Sequence, residues 1–134
     1  MLQRAHVCSG VTAAIVSTAF AVPAQALDMS DFIGRWGEDR TGYNCKSGPG
    51  EETMPVNIAK DADGAYSVGA YAWLCSAPRW EARGSFIGAD VTCGQEGGGE
   101  ITRDRIEVAK SNYGQLVLVY GTNVEVLDAC PAAE

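Results

Sequence analysis

Hydrophobic and polar side chains alternate with a period of two over much of the chain after residue 26, which is the pattern of half-buried β-strands. The alternation predicts about eight short strands, at residues 34–36, 55–60, 65–76 (broken near Gly69), 80–87, 91–93, 101–110, 115–120 and 124–130. Glycine-rich loops at residues 47–52 and 95–100, and an Asp-Gly turn at residues 61–64, separate these strands. The sequence therefore predicts an all-β fold, a small antiparallel β-barrel or sandwich.

Two strands and one helical turn have well-defined faces in this pattern. Within residues 65–76, we expect Tyr71, Trp73 and Cys75 to share one face. The alternation is clearest at residues 80–87, where four small or aromatic residues oppose charged and polar ones. Residues 28–33 can form one helical turn, with Asp28 or Ser30 as its N-cap.

The first 26 residues have the three regions of a secretory signal peptide. Arg4 provides the basic start, a short stretch rich in alanine, serine and threonine follows, and Ala24-Gln25-Ala26 is a small-x-small cleavage site. The apolar stretch is weaker than the roughly 20 strongly apolar residues that a membrane span needs. We therefore expect cleavage after Ala26, a single β domain at residues 27–134, a periplasmic or secreted location and no membrane insertion.

Four cysteines remain after this cleavage, and an even number in a small exported domain is typical of two disulfides. No two of them form a Cys-x-x-Cys pair, so neither a zinc site nor a thioredoxin-like redox site is expected. Of the three possible connectivities, we favour Cys45–Cys75 with Cys93–Cys130, because each bridge would close a loop of about 30 residues.

Charge and residue content restrict the function further. The chain has 134 residues, 46% of them hydrophobic and 20% charged, which is ordinary for one globular domain. Its formal net charge of −7 disfavours nucleic acid and favours a basic protein partner. The one histidine is His6, which lies in the predicted signal peptide, so histidine-based catalysis is not expected. The acidic residues lie mostly in predicted turns, and we assign no catalytic residue, metal ligand or cofactor.

The strand at residues 115–120 is apolar on both faces. If its even-numbered positions face the core, Val117 and Val119 point outward, and we expect Leu127 of the next strand to lie near them. An apolar patch on the outside of a barrel marks an interface, with a protein partner or with a second copy in a homodimer. The alternative is a central strand that is covered on both sides.

Two short motifs at the start of the predicted domain resemble the openings of two families of periplasmic β-barrel inhibitors. The motif Phe32-x-Gly34-x-Trp36, followed by Cys45, resembles the opening of the metalloprotease inhibitors of the Inh type. The segment Tyr43-Asn44-Cys45-x-x-Gly48 is similar to the opening of the c-type lysozyme inhibitors. These resemblances imply a barrel whose first strand contains Trp36, with Cys45 in an early disulfide.

The last third resembles a different group. Residues 91–97 and 128–131, with Cys93 and Cys130, are similar to small exported proteins of Gram-negative bacteria for which no activity is implied.

Taken together, these features predict a non-enzymatic exported binding protein, an inhibitor of a cationic hydrolase such as lysozyme. Its negative charge would attract a basic partner and increase the rate of encounter. One alternative is a barrel that binds a small ligand, with Trp36, Trp73 and Trp80 lining a cavity rather than filling a core. Others are a structural protein of the cell envelope and an enzyme that uses carboxylates.

Overall fold

The computed structural model describes residues 27–38, 42–95, 97–99 and 102–132, so the predicted signal peptide lies outside the described residues. The described chain begins with a short 3₁₀ helix, Met29–Phe32, which is followed by strands. These strands are β1 (Gly34–Gly37), β2 (Val56–Lys60), β3 (Tyr66–Ala70), β4 (Trp73–Ala77), β5 (Glu81–Arg83), β6 (Phe86–Gln95), β7 (Thr102–Lys110), β8 (Leu116–Tyr120) and β9 (Asn123–Ala129). No helix in these described ranges is long and apolar enough to cross a membrane.

Eight of the strands form a closed antiparallel barrel. Neighbours in the barrel follow one another along the chain, from β1 through β4 and from β6 through β9. The β4–β6 pairing and the pairing of β9 with β1 complete the ring, and β5 is an additional short strand beside β6. The predicted all-β fold is confirmed, and it is the barrel rather than the sandwich.

β4 and β5 lie end to end along the same edge of β6. Ser76 pairs with Thr92, and Glu81 pairs with Gly88. Residues 77–80 therefore face residues 89–91, so this edge contains one more residue than its partner strand, as in a β-bulge. Pro78 lies in this interruption, where its missing N–H removes no hydrogen bond from a regular ladder.

The expectation of one continuous strand at residues 80–87 is wrong. The chain reverses at Gly84, whose φ of +61° is in the left-handed region that glycine tolerates. Arg83 pairs with Phe86 across this turn, and all three residues of β5 are exposed. The alternation of residue types was compatible with a strand, but a single glycine at positive φ makes the segment a hairpin.

The strand predicted at residues 65–76 is interrupted, but at a different position from the predicted one near Gly69. The interruption occurs at Tyr71 and Ala72, which form a tight turn with Ala72 at a φ of 62°. Gly69 instead lies buried within β3, where an added Cβ would approach the Leu74 side chain to 2.8 Å. Tyr71 is 39% exposed in the turn and does not share the inward face of β4.

The barrel interior is filled by the inward-facing side chains of every strand in the ring. Ile58 lies opposite Val68, Val68 opposite Cys75, and Ile87 opposite Val108, so the pairing registers place apolar residues side by side. The fully buried large side chains are Phe32, Val56, Ile58, Val68, Ile87, Val91, Ile106, Val108, Leu116, Leu118 and Leu127. Burial of such side chains contributes about 1.5–3 kcal/mol each.

The 3₁₀ helix covers one end of the barrel, which we call the closed end. Asp28 caps it by accepting the N–H of Ser30 at 2.8 Å, and the Asp31 carboxylate accepts the N–H of Asp28 at 3.2 Å. The helix buries Met29 and Phe32 against the core. Of the two predicted candidates, Asp28 rather than Ser30 is the N-cap, and the cap orients the helix so that its apolar side faces the interior.

The favoured disulfide connectivity is wrong. The bonds are Cys45–Cys130 and Cys75–Cys93. Cys75 and Cys93 lie directly opposite one another on β4 and β6. Cys45 and Cys130 follow the first and last strands, which meet where the barrel closes. Barrel closure therefore decides the pairing, whereas loop length along the chain does not. Two disulfides are compatible with an exported protein.

Removing either disulfide should destabilise the barrel by about 2–5 kcal/mol, and the two losses should differ. The sequence separation is 85 for Cys45–Cys130 and 18 for Cys75–Cys93. In the chain-entropy treatment the longer loop contributes about 1.4 kcal/mol more. Urea unfolding of the Cys45→Ala/Cys130→Ala and Cys75→Ala/Cys93→Ala variants measures this difference. An equal or reversed order of stability would contradict it.

Candidate functional site

The end of the barrel opposite the 3₁₀ helix, which we call the open end, contains a cavity of about 180 Å³. Inward-facing residues of β4, β6, β7 and β8 provide most of its walls. Its lining consists of Trp73, Cys75, Cys93, Gly94, Gln95, Thr102, Asp104, Ile106 and Tyr120.

The composition of the cavity changes with depth along β7. Val108 and Ile106 face the apolar interior, and Asp104 and Thr102 follow at successive inward positions toward the open end. Asp104 is opposite Val91, and Thr102 is opposite Cys93. Because side chains on one face of a strand are two residues apart, one strand provides both an apolar floor and a polar rim.

Two aromatic rings form one wall of the cavity. The ring centroids of Trp73 and Tyr120 are 6.2 Å apart, and the ring planes are inclined by 32°. A third aromatic residue, Tyr43, brings its hydroxyl to 3.3 Å from that of Tyr120. Tyr43 belongs to the loop between β1 and β2, so a segment outside the sheet contributes to the open end.

Several bonds hold this loop against the barrel. Arg35 donates from its guanidinium group to the carbonyl oxygens of Cys45 at 3.2 Å and Ser47 at 3.3 Å. The hydroxyls of Ser47 and Thr53 are 2.7 Å apart, and the Cys45–Cys130 disulfide ties the loop to the end of β9. The position of Tyr43 is therefore fixed by the folded barrel.

The environment of Tyr43 raises the pKa of its hydroxyl far above the ordinary value. Partial burial is the largest cause, since it disfavours the charged phenolate. The hydrogen bond with Tyr120 and the negative charge of Glu125 act in the same direction, while the hydrogen bond with Trp73 opposes them. Glu125 is a half-buried residue of β9 that faces inward opposite Leu118.

The rim of the cavity is negatively charged. Asp104 is exposed, and its carboxylate accepts the backbone N–H of Arg105 at 2.7 Å. The guanidinium of Arg105 lies outside the barrel, where it bonds Asp90 and Glu107, each at 3.1 Å. None of the described residues that line the cavity is a lysine or an arginine.

The three tryptophans have different environments. Trp36 is 5% exposed in the core and donates from its indole nitrogen to the carbonyl oxygen of Phe32 at 2.8 Å. Trp80 is half-buried at the closed end and donates to the carbonyl oxygen of Tyr66 at 3.3 Å. Trp73 lines the cavity at the open end. The idea that all three line one cavity is therefore wrong.

A wider depression of about 590 Å³ lies on the outside of the barrel across β3, β4 and β6. Leu74, which is 57% exposed, lies over Gly69 within it. None of the described residues that line this depression is ionisable. It offers space without charged groups, and the cavity at the open end is the better candidate for specific recognition.

The predicted outward patch on β8 is present, but one of its three residues is misplaced. Val117 and Val119 face outward, opposite Val126 and Val124 of β9. Leu127 lies on the other face and is fully buried, so its proposed role at an outer surface is wrong. We call the set Val117, Val119, Val124 and Val126 the valine patch. Counting outward from the tight turn between β8 and β9 would have identified the two valines that sequence reasoning missed.

The four predicted cysteines are all present in disulfides, whereas no local pattern indicates the open-end cavity. The tryptophan content suggests Trp73 as a cavity residue, but the sequence does not indicate Tyr43, Asp104 or Tyr120.

Comparisons with protein-family models, with curated proteins and with solved structures returned no match. Among the described residues, no group of three or more histidine, cysteine, aspartate or glutamate side chains could hold a metal ion.

The faces of β8 can be tested with two neighbouring substitutions. Leu118→Asp should unfold the domain, because it places an unpaired carboxylate in a fully buried position. Val119→Asp should stay folded and cost about 1 kcal/mol or less, since the outward carboxylate remains hydrated. Circular dichroism and urea unfolding measure both. Unfolding of the Val119→Asp variant would contradict the outward assignment.

The raised pKa of Tyr43 predicts a loss of stability at alkaline pH. The unfolded chain releases this proton near pH 10, the ordinary value, whereas the folded protein retains it to higher pH. Its stabilising contribution is therefore complete below about pH 10 and declines above it. Tyr43→Phe should weaken this decline in urea unfolding measured at about pH 9 and 11. Tyr113→Phe, at a residue that is 91% exposed, is the matched control. An unchanged pH dependence in Tyr43→Phe would contradict the assignment.

Proposed function

We propose that this protein is a non-catalytic binding protein, located in the periplasm or outside the cell, which captures a basic protein and inhibits a cationic hydrolase such as lysozyme. The observation that carries this proposal is the open end of the barrel. It combines a negatively charged rim at Asp104 with the aromatic side chains of Trp73, Tyr43 and Tyr120. Aromatic residues beside a charged rim are typical of surfaces that bind a partner of opposite charge.

Net charge supports the same partner. The formal charge of the chain is −7, and removal of residues 1–26 with Arg4 would make it −8. Such a charge accelerates encounter with a basic protein and suppresses binding to acidic ones. This effect acts over the whole surface, so it selects a class of partners rather than one contact.

The construction of the barrel supports a role in binding as well. The closed ring and two disulfides hold the inward-facing residues of the open end in fixed relative positions. A binding surface that is already ordered loses little conformational entropy when a complex forms. Inhibitors use such surfaces because the energy of the contacts then appears as affinity.

A small-ligand-binding barrel is the second candidate, because the cavity is partly apolar and contains Trp73. Its volume of about 180 Å³ is below the range of about 300–1,000 Å³ that is usual for pockets that enclose a whole ligand. Only a very small molecule or one chemical group of a larger molecule would fit. Tryptophan fluorescence with apolar ligands distinguishes this candidate from a protein-binding barrel.

The proposal predicts that residues 27–134, produced with both disulfides, slow cell-wall lysis by a c-type lysozyme and form a complex with it on size-exclusion chromatography. Because opposite charges steer the encounter, the association rate should fall as salt is raised. Lysozyme whose lysines have been acetylated should bind more weakly and is the matched control. Full lytic activity at excess inhibitor, with no complex formed by lysozyme or by other basic hydrolases, would contradict the proposal.

A further inference from the structure

We infer that the cavity at the open end receives one lysine or arginine side chain of the protein partner, with its charged group between the aromatic wall and the Asp104 carboxylate. This inference rests on the proposed function and specifies the contact that would provide its specificity.

The cavity has the dimensions and depth profile of a site for one side chain. Its volume is about 180 Å³, and Ile106 and the Cys75–Cys93 disulfide form its inner part. A lysine or arginine has an apolar stem and a polar head, and such side chains bury the stem while the head stays close to water. This division matches a cavity that is apolar inside and polar at the rim.

The walls favour a positive charge. The rings of Trp73 and Tyr120, with centroids 6.2 Å apart, both line the cavity. A cation within about 6 Å of an aromatic ring centroid is attracted by the negative face of the ring, and tryptophan gives the strongest interaction. The attraction increases when the site is shielded from water, as it would be under a bound protein.

The rim provides the opposite charge and hydrogen-bond acceptors. The carboxylate of Asp104 makes no ion pair with any described residue, and its one hydrogen bond is with the N–H of Arg105. The Gln95 amide and the Thr102 hydroxyl lie on the same rim. Three oxygen-bearing side chains thus contribute to the cavity lining, and an ammonium or guanidinium group needs acceptors of this kind.

At the closed end, contacts between lysine side chains and aromatic rings form within the chain itself. There the Lys60 ammonium is 5.4 Å from the ring centroid of Tyr66, and the Lys110 ammonium is 5.6 Å from that of Phe32. At the open end, the aromatic rings and a carboxylate are present, but no described residue lining the cavity is cationic. The described part of the open end therefore suits a cation that another molecule would provide.

The contact can be separated from general charge attraction with two variants of equal net charge. Asp104→Asn removes the carboxylate at the rim and keeps its shape. Asp63→Asn removes one negative charge from the exposed turn between β2 and β3, at the closed end. We expect Asp104→Asn to weaken the complex with lysozyme by about tenfold or more, mainly through faster dissociation, and Asp63→Asn to change it less than about twofold. Circular dichroism checks that both variants are folded.

A small probe tests the cavity directly. N-acetyl-lysine amide and N-acetyl-arginine amide should shift the NMR signal of the Trp73 indole N–H, whereas the uncharged N-acetyl-norleucine amide should not. Asp104→Asn should reduce this shift, and Asp63→Asn should leave it unchanged. The Trp73 signal is assigned by its loss in Trp73→Phe.

The possible results separate the inference from the proposed function. A wild-type complex that both variants weaken equally, or that neither weakens, would overturn the inference and leave the function in place. Failure of wild-type protein to bind any basic hydrolase would overturn the function. A Trp73 signal that does not respond to either charged probe would overturn the inference, whether or not the complex forms.

Discussion

The pairing of the first strand with the last is the interaction on which the rest of the structure depends. It is short, because only Trp36 with Ala129 and Gly37 with Asp128 are in register. Three further contacts reinforce it: Cys130 donates its N–H to the carbonyl oxygen of Arg35 at 2.8 Å, the Cys45–Cys130 disulfide lies beside it, and the Arg35 guanidinium holds the adjoining loop. Without this closure β1 and β9 would be free edges, and the inward-facing residues of eight strands would lose their common interior.

Closure also decides which surfaces of the barrel remain accessible. A ring of strands leaves two ends and an outer face, and in this protein the ends have opposite character. The 3₁₀ helix covers one end, where Lys60 and Lys110 lie over aromatic rings of the chain itself. The other end remains open, with Asp104 at its rim and Trp73 in its wall. The same closure brings Tyr43 there, since the loop that contains it is tied to the end of the last strand. Barrel closure therefore both stabilises the fold and determines which residues form the candidate site.

The sequence-based expectations failed where a local pattern was compatible with more than one path of the chain. Alternation at residues 80–87 suited a strand, but the left-handed conformation of Gly84 turns the segment into a hairpin. Leu127 was placed on the outer surface because the register across the following turn was unknown, and a shift of one residue moves a side chain to the opposite face. Loops of about 30 residues favour Cys45–Cys75 and Cys93–Cys130, yet Cys45 bonds Cys130 because the first and last strands meet where the barrel closes. Each of these errors concerns which segments pair and in which register, and the local pattern of residue types does not specify either.

Local chemistry in the sequence determined the all-β class, most strand positions, a helical turn capped at Asp28 or Ser30, the Asp-Gly turn and the inward direction of Leu116 and Leu118. These features follow from preferences of single residues and from the period of two, which act within a few positions of the chain. Only the tertiary structure decided the disulfide pairing and the set of residues that line the open end, which come from β4, β6, β7 and β8. The reason is geometric: closing the barrel pairs residues as distant in sequence as Trp36 and Ala129, and no preference of a single residue encodes which strands become neighbours across the ring.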